Sequence, residues 1–159
     1  MKKLCMVIFL VLLLTACGSN IQPEENYAEI FSLALDTIFK QNENLNDNIE
    51  YIAIDMSNMD DLSAGDKEEI LHFFHNKYEI DTIAATLKEL KEQGLYSPET
   101  GALHGILLIL DEVDITSNDT IQLIGSKYRS GIGGVGVEIR INYQGNDWRV
   151  IDNQVIWNS

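Results

Sequence analysis

Residues 131–150 read GIGGVGVEIRINYQGNDWRV. The first six, Gly131, Ile132, Gly133, Gly134, Val135 and Gly136, fit G-x-G-x-x-G, the spacing of a dinucleotide-binding loop. Such a loop follows a parallel strand and opens a helix whose N-terminal amides hold the pyrophosphate. Here the opposite pattern follows. Val135, Val137, Ile139, Ile141 and Tyr143 alternate with Gly136, Glu138, Arg140 and Asn142, the period of a half-buried strand. Nine residues in that phase cannot also form one apolar stripe on a helix. Gln144-Gly145-Asn146-Asp147 reads as a hairpin turn and WRVIDNQVIW as the returning strand. The apolar phase of that strand changes between Val150 and Val155, which predicts a bulge or strand end near Asp152-Asn153. The chain also lacks G-K-[ST], so no nucleotide is expected as ligand. The glycines are expected to form a flexible connection between two strands, at backbone angles only glycine tolerates. As an exposed loop carried by a rigid sheet, residues 131–136 are the candidate contact loop for a partner.

Upstream, two further strands are predicted at 103–114, LHGILLILDEVD, and at 120–129, TIQLIGSKYR. Ser97 to Gly101 is a turn. The first half is helical by pattern. Residues 26–41 place Tyr27, Ile30, Phe31, Ala34, Leu35, Ile38 and Phe39 at steps of three and four, which puts them on one face. IEYIAID, 49–55, is apolar on both faces and reads as a buried strand. Ser63 with Asp66 three residues on predicts a helix start, running to about Tyr78. A second short helix is predicted from about Thr82 to Gln93, with Ile83, Leu87 and Leu90 on one face and Gly94 as its left-handed terminator. The expected fold is α+β: N-terminal helices packed on one face of a curled, mainly antiparallel sheet of four to five strands. Residues 26–159 form a single globular domain in this reading.

The N-terminus, MKKLCMVIFLVLLLTACGSN, has two lysines and then an unbroken apolar run from Leu4 to Leu14. That run is too short to cross a bilayer, which takes about 20 helical residues, and has the form of a secretory signal. Its end, Leu14-Thr15-Ala16-Cys17, resembles the lipobox of bacterial lipoproteins. The resemblance implies cleavage after Ala16 and a diacylglyceryl group, with palmitate-type chains, on Cys17. Two chains anchor stably where one does not. Residues 1–16 are then the signal peptide and 17–25 the lipidated cysteine with a flexible polar tether. The expected location is extracytoplasmic, on the outer face of the cell membrane.

Removing residues 1–16 takes Lys2 and Lys3 with it and moves the formal charge from −14 to −16. That charge repels nucleic acid and anionic lipid. Cys5 leaves with the signal and Cys17 is lipidated, so neither a disulfide nor a thiol nucleophile is expected. Chemistry-bearing motifs are sparse. His72 and His75 fall on opposite and flanking positions of a helix, and His104 stands alone, so no metal is expected. Asp60-Asp61 and the acidic stretch 111–114 lack calcium-loop spacing and read as solvated turns. No G-x-S-x-G is present, and a carboxylate pair such as Asp55 and Asp66 acts together only if the fold unites it. No cofactor and no catalytic residue is assigned.

YIAID, ATLKELKEQGLY and SGIGGVGVEIRINYQGNDW together resemble uncharacterised small lipoproteins of Gram-positive bacteria. The W-x-V after the hairpin also resembles the sheet ends of cystatin-like and nuclear-transport-factor-like α+β domains, which serve as binding modules, inhibitors and sometimes enzymes. The function expected is a non-catalytic binding module for another envelope protein or a small ligand. The alternatives are an envelope hydrolase with a carboxylate-lined pocket under the sheet, or an inhibitor or immunity-type protein.

Overall fold

A computed structural model describes residues 22–159. The signal, the lipobox and Cys17 lie outside the described residues, as does most of the tether. A 3-10 turn, Pro23–Asn26, leads into α1, Tyr27–Phe39. All seven apolar residues named from the helical spacing are buried in one core. After β1, Tyr51–Asp55, the chain enters α2, Ala64–Tyr78. The expected N-terminus is present as a reciprocal box: Asp66 N donates to Ser63 Oγ at 3.1 Å and Ser63 N to Asp66 Oδ2 at 2.9 Å.

The next segment departs from expectation. Residues 81–84, DTIA, form a strand, β2, rather than the first turn of a helix. The helix α3 is shorter, Leu87–Glu92, and is started by Thr86, whose hydroxyl accepts from Glu89 N while Glu89 returns a carboxylate to Thr86 N. Pairing of β2 with β1 decides the matter: Tyr51 aligns with Asp81 and Ile54 with Ala84, in parallel. Gly94 is left-handed at φ 75°, as expected. The amides of Gly94 and Leu95 bond back to Lys91 and Leu90, closing a Schellman end.

The strands β3, Tyr96–Ser97, β4, Ala102–Ser117, β5, Thr120–Ser130, β6, Gly133–Gln144, and β7, Asp147–Asn158, complete one open sheet. It has seven strands, more than the four to five expected. The order is β2-β1-β4-β5-β6-β7, with β3 beside the start of β4. The sheet is mixed: β1 runs parallel to both β2 and β4, and every other pairing is antiparallel. The hairpin turn has Gly145 and Asn146 both at positive φ, 63° and 85°. In β7 the register slips at Ile151, one residue from the expected bulge, and again at Ile156.

Helices do not all lie on one side. α1 and α2 cover one face through a large core that takes Ile52 and Ile54 from β1, Ile106, Leu108 and Leu110 from β4, and Val135, Val137, Ile139 and Ile141 from β6. The alternate residues Ala53, Leu103 and Leu107 face the other way and meet Leu90 of α3 in a second, smaller cluster. α3 therefore covers only the β1–β4 end of the second face. Among the described residues no helix is long and apolar enough to cross a membrane.

α1 and α2 are locked by one buried carboxylate. Asp36 accepts from Lys40 Nζ at 2.6 Å, Lys77 Nζ at 2.8 Å and Tyr78 Oη at 2.5 Å. Burial raises the Asp36 pKa, but the hydrogen bonds from Lys40, Lys77 and Tyr78 outweigh it and hold the pKa below the ordinary carboxylate value. A folded-state pKa below the unfolded one gives stability that is full at neutral pH and is lost as pH falls through the folded value. Urea unfolding at a series of pH values from about 5 downward should therefore show a steeper loss for the wild type than for Asp36→Asn. Parallel slopes would remove Asp36 as the source.

Candidate functional site

The candidate contact segment 131–136 divides in the structure. Only Gly131 and Ile132 form the turn; Gly133, Gly134, Val135 and Gly136 belong to β6. None of its four glycines adopts a positive φ; the glycines that do are Gly94, Gly101 and Gly145. The expectation of glycine-only backbone angles is thus corrected, and another cause takes its place. Gly136 pairs with Trp157 across β6–β7, and the Trp157 indole lies flat over the strand. A Cβ at Gly136 would stand 2.5 Å from Trp157 Cδ1, and one at Gly134 3.2 Å from Trp157 Cζ3. The glycines make a bare strip on which an aromatic ring rests.

That strip is continuous with a cleft. Tyr128 of β5 pairs with Gly134 and shares the second sheet face with Trp157. Tyr96 of β3, Tyr128, Thr100, Gly101, Ser130, Gly131 and Ile132 line an open cleft of about 400 Å³. Each element is there for a local reason. The Schellman end at Gly94 turns the chain so that Tyr96 enters β3, and Lys91 Nζ sits 4.9 Å above the Tyr96 ring. The turn after β3 closes with Gly101 N donating to Ser97 O at 2.8 Å, with Gly101 at φ 68°. Burial, then the neighbouring Tyr96, raises the pKa of Tyr128, so its phenol is protonated at neutral pH and is able to donate. Ile132, at the tip, is 88% exposed. A group placed against this turn would meet the Ile132 side chain and the two half-buried phenol rings together.

Farther along β5–β7 the second face carries a polar patch. Gln122, Glu138, Arg140, Asp152 and Gln154 line a shallow cup of about 140 Å³ on β5–β7, in which Gln122 donates to Glu138. On the opposite face, the place of a carboxylate-lined pocket under the sheet, the centre is filled by the apolar core, and a groove of about 100 Å³ remains at the edge beside Asp60 and Asp61. Asp55 and Asp66 each serve the local backbone: Asp55 accepts from Ser57 N at 2.9 Å, and Asp66 is committed to the start of α2. The histidines are dispersed. His72 is 4.0 Å from Glu68 on the exposed side of α2, His75 Nδ1 meets Ile80 O at 3.1 Å, and His104 is 3.8 Å from Glu50. Asp60-Asp61 lies in a turn, whereas 111–114, read as a solvated turn, is part of β4.

Residue spacing pointed to the tip at Ile132 but not to Tyr96, Tyr128 or Trp157, which only the sheet brings together. No protein-family model, curated protein or solved structure matches this chain.

Proposed function

We propose that this chain is a lipoprotein held through Cys17 on the outer face of the cell membrane, whose folded part is a non-catalytic binding module. The observation that supports the binding role is the aromatic cleft with Ile132 at its lip. Its chemistry is that of recognition: phenol faces for apolar contact and the hydroxyls of Thr100, Ser130 and the tyrosines for hydrogen bonds. The packed core on the α1–α2 side weighs against the hydrolase alternative, because the space left on that face is a groove of about 100 Å³ at its edge, beside Asp60 and Asp61. The ligand is another envelope protein, or a small molecule with an apolar face and polar edges. The anchor is supported by the lipobox and the apolar run before it, and needs no nucleic acid, nucleotide or cofactor.

The test is photo-crosslinking in live cells from position 132, read by mass spectrometry, with Cys17→Ser and Tyr96→Ala/Tyr128→Ala forms alongside. The expected result is one dominant adduct, reduced at least tenfold in the tyrosine variant while its melting transition stays cooperative, and release of the Cys17→Ser protein to the medium. An adduct indifferent to the tyrosines would overturn the cleft as the site. A Cys17→Ser protein that stays on the membrane would overturn the anchor.

A further inference from the structure

β4 is a long strand, Ala102–Ser117, but its neighbour β1 is short. The last β1 residue, Asp55, aligns with Ile109. Beyond that point β4 continues against β5 alone; among the described residues no strand lies on its other side, and no loop amide or carbonyl bonds to residues 110–117. After a bulge at Asp111, the β4–β5 register runs evenly from Glu112 to Ile115. This stretch of backbone has donors and acceptors set at strand spacing and left to solvent.

Each free edge of this sheet is short or interrupted. β2 is only four residues long, and β7 is interrupted by slips at Ile151 and Ile156, both of which blunt an edge. The free part of β4 carries slips of its own, at Asp111 and Thr116, and what sets it apart is the apolar groove and the carboxylates beside its even stretch, Glu112–Ile115. Its side chains Val113 and Ile115 are each 39% exposed and floor a groove with Tyr27, Phe31 and Met59, closed on its rim by Asp60 and Asp61. The alternate side chains extend the negative charge onto the second face: Asp114 aligns with Gln122, and Glu112 with Ile124. Asp55 and Asp111 stand where β1 gives out. None of Asp55, Asp60, Asp61, Asp111, Glu112 and Asp114 takes part in an ion pair among the described residues. Burial raises the Asp111 pKa, the hydrogen bond from Ser126 at 3.1 Å opposes it, and the neighbouring Glu112 and Asp55 add to the rise.

We propose that the free edge of β4, from Leu110 to Ser117, takes up an extended cationic segment of a partner protein, which adds as a strand. Backbone hydrogen bonds supply the pairing. Apolar side chains of the guest enter the Val113–Ile115 groove. Lysines or arginines on the same strand meet the carboxylates that flank the edge on both faces. A guest with alternating apolar and basic residues satisfies the edge, the groove and the charge together. The site is separate from the aromatic cleft and does not depend on the binding role assigned to that cleft.

The probe is the acetylated, amidated peptide KVKVKVK, titrated into the full 15N-labelled chain in a neutral detergent, with EVEVEVE as its control. The expected result is saturable binding with amide shifts concentrated in residues 110–117, weakened at least fivefold when salt is raised from 50 to 500 mM, and undetectable with the acidic peptide. Ile115→Lys should weaken binding at least tenfold. Should that variant fail to fold, Asp60→Asn/Asp61→Asn serves in its place, with at least a threefold loss expected. Equal binding of both peptides, shifts centred on β7, or no binding at millimolar peptide would overturn the proposal. So would β4 shifts that follow protein concentration without peptide, since the guest would then be a second copy of the chain.

Discussion

Lys127→Met is expected to lower the unfolding free energy by about 3 kcal/mol, the scale for breaking a buried charged network. Lys127 is fully buried, and its ammonium stands in a cage of oxygens. It donates to the carbonyls of Phe39 at 2.8 Å and Asn42 at 3.3 Å, to that of Gln41, and to Asn46 Oδ1 at 2.8 Å. These oxygens belong to the end of α1 and the turn after it. The last carbonyls of a helix have no partner inside it, and the negative end of the helix dipole favours a cation there. Burial lowers the Lys127 pKa to about 8, with Glu43 opposing, so the group is still mainly charged at neutral pH. Methionine keeps most of the buried stem and removes every donor. The cost is therefore that of stranding the acceptors rather than of opening a cavity. Urea unfolding measures the loss, and amide exchange should accelerate through 39–46 first. An unchanged midpoint would mean that water satisfies the cage.

Gly105→Ala should cost about as much, 3 kcal/mol or somewhat more, at the upper end for overpacking. Gly105 lies in β4 beside the start of β1. A Cβ there would stand 2.7 Å from both Cγ and Cδ2 of Tyr51, and closer still to the Tyr51 carbonyl oxygen. Neither obstacle is free to retreat. The Tyr51 ring is buried and its hydroxyl is tied to Leu95 O at 2.9 Å; the backbone beside it is held by Glu50 N on His104 O at 3.0 Å. Gly131→Ala is the control, because nothing lies within 4 Å of its Cβ position. Thermal unfolding should separate the two variants widely. Equal melting temperatures would show that β1 and β4 shift apart at little cost.

What the residues disclose in advance is local. The seven apolar positions of α1, the Ser63–Asp66 box and the β6–β7 hairpin are all written within a few residues of where they act. The misread elements depend on distant partners. Ile83 keeps helical step with Leu87 and Leu90, so DTIA reads as helix; it is a strand because Tyr51–Ile54 lies beside it. The placement of α3 on the second face follows from which side of β1 and β4 was left uncovered. Lys127 carried a signal, since it falls in the i, i+2 row of Ile121, Leu123 and Gly125, but its acceptors come from residues 39–46. Gly134 and Gly136 read as loop glycines because the slip at Ile156, which brings Trp157 opposite Gly136, is invisible without the register. The aromatic cleft is obscured for the same reason: Tyr96, Tyr128 and the turn at Ile132 meet only through β4 and β5.

The first helix is finished by the last strands. α1 packs on β5, β6 and β7, and Gln41 just beyond it reaches Asn153. A chain emerging N-terminus first can pack α1 on α2 early, but the part of α1 that meets β6 and β7 stays uncovered until they follow, and the α1 cage stays empty until Lys127 arrives. Such end-to-end closure makes folding a late event with a high contact order. If the chain is exported in extended form, as proposed above, that order leaves the α1 core incomplete until the trailing strands are through.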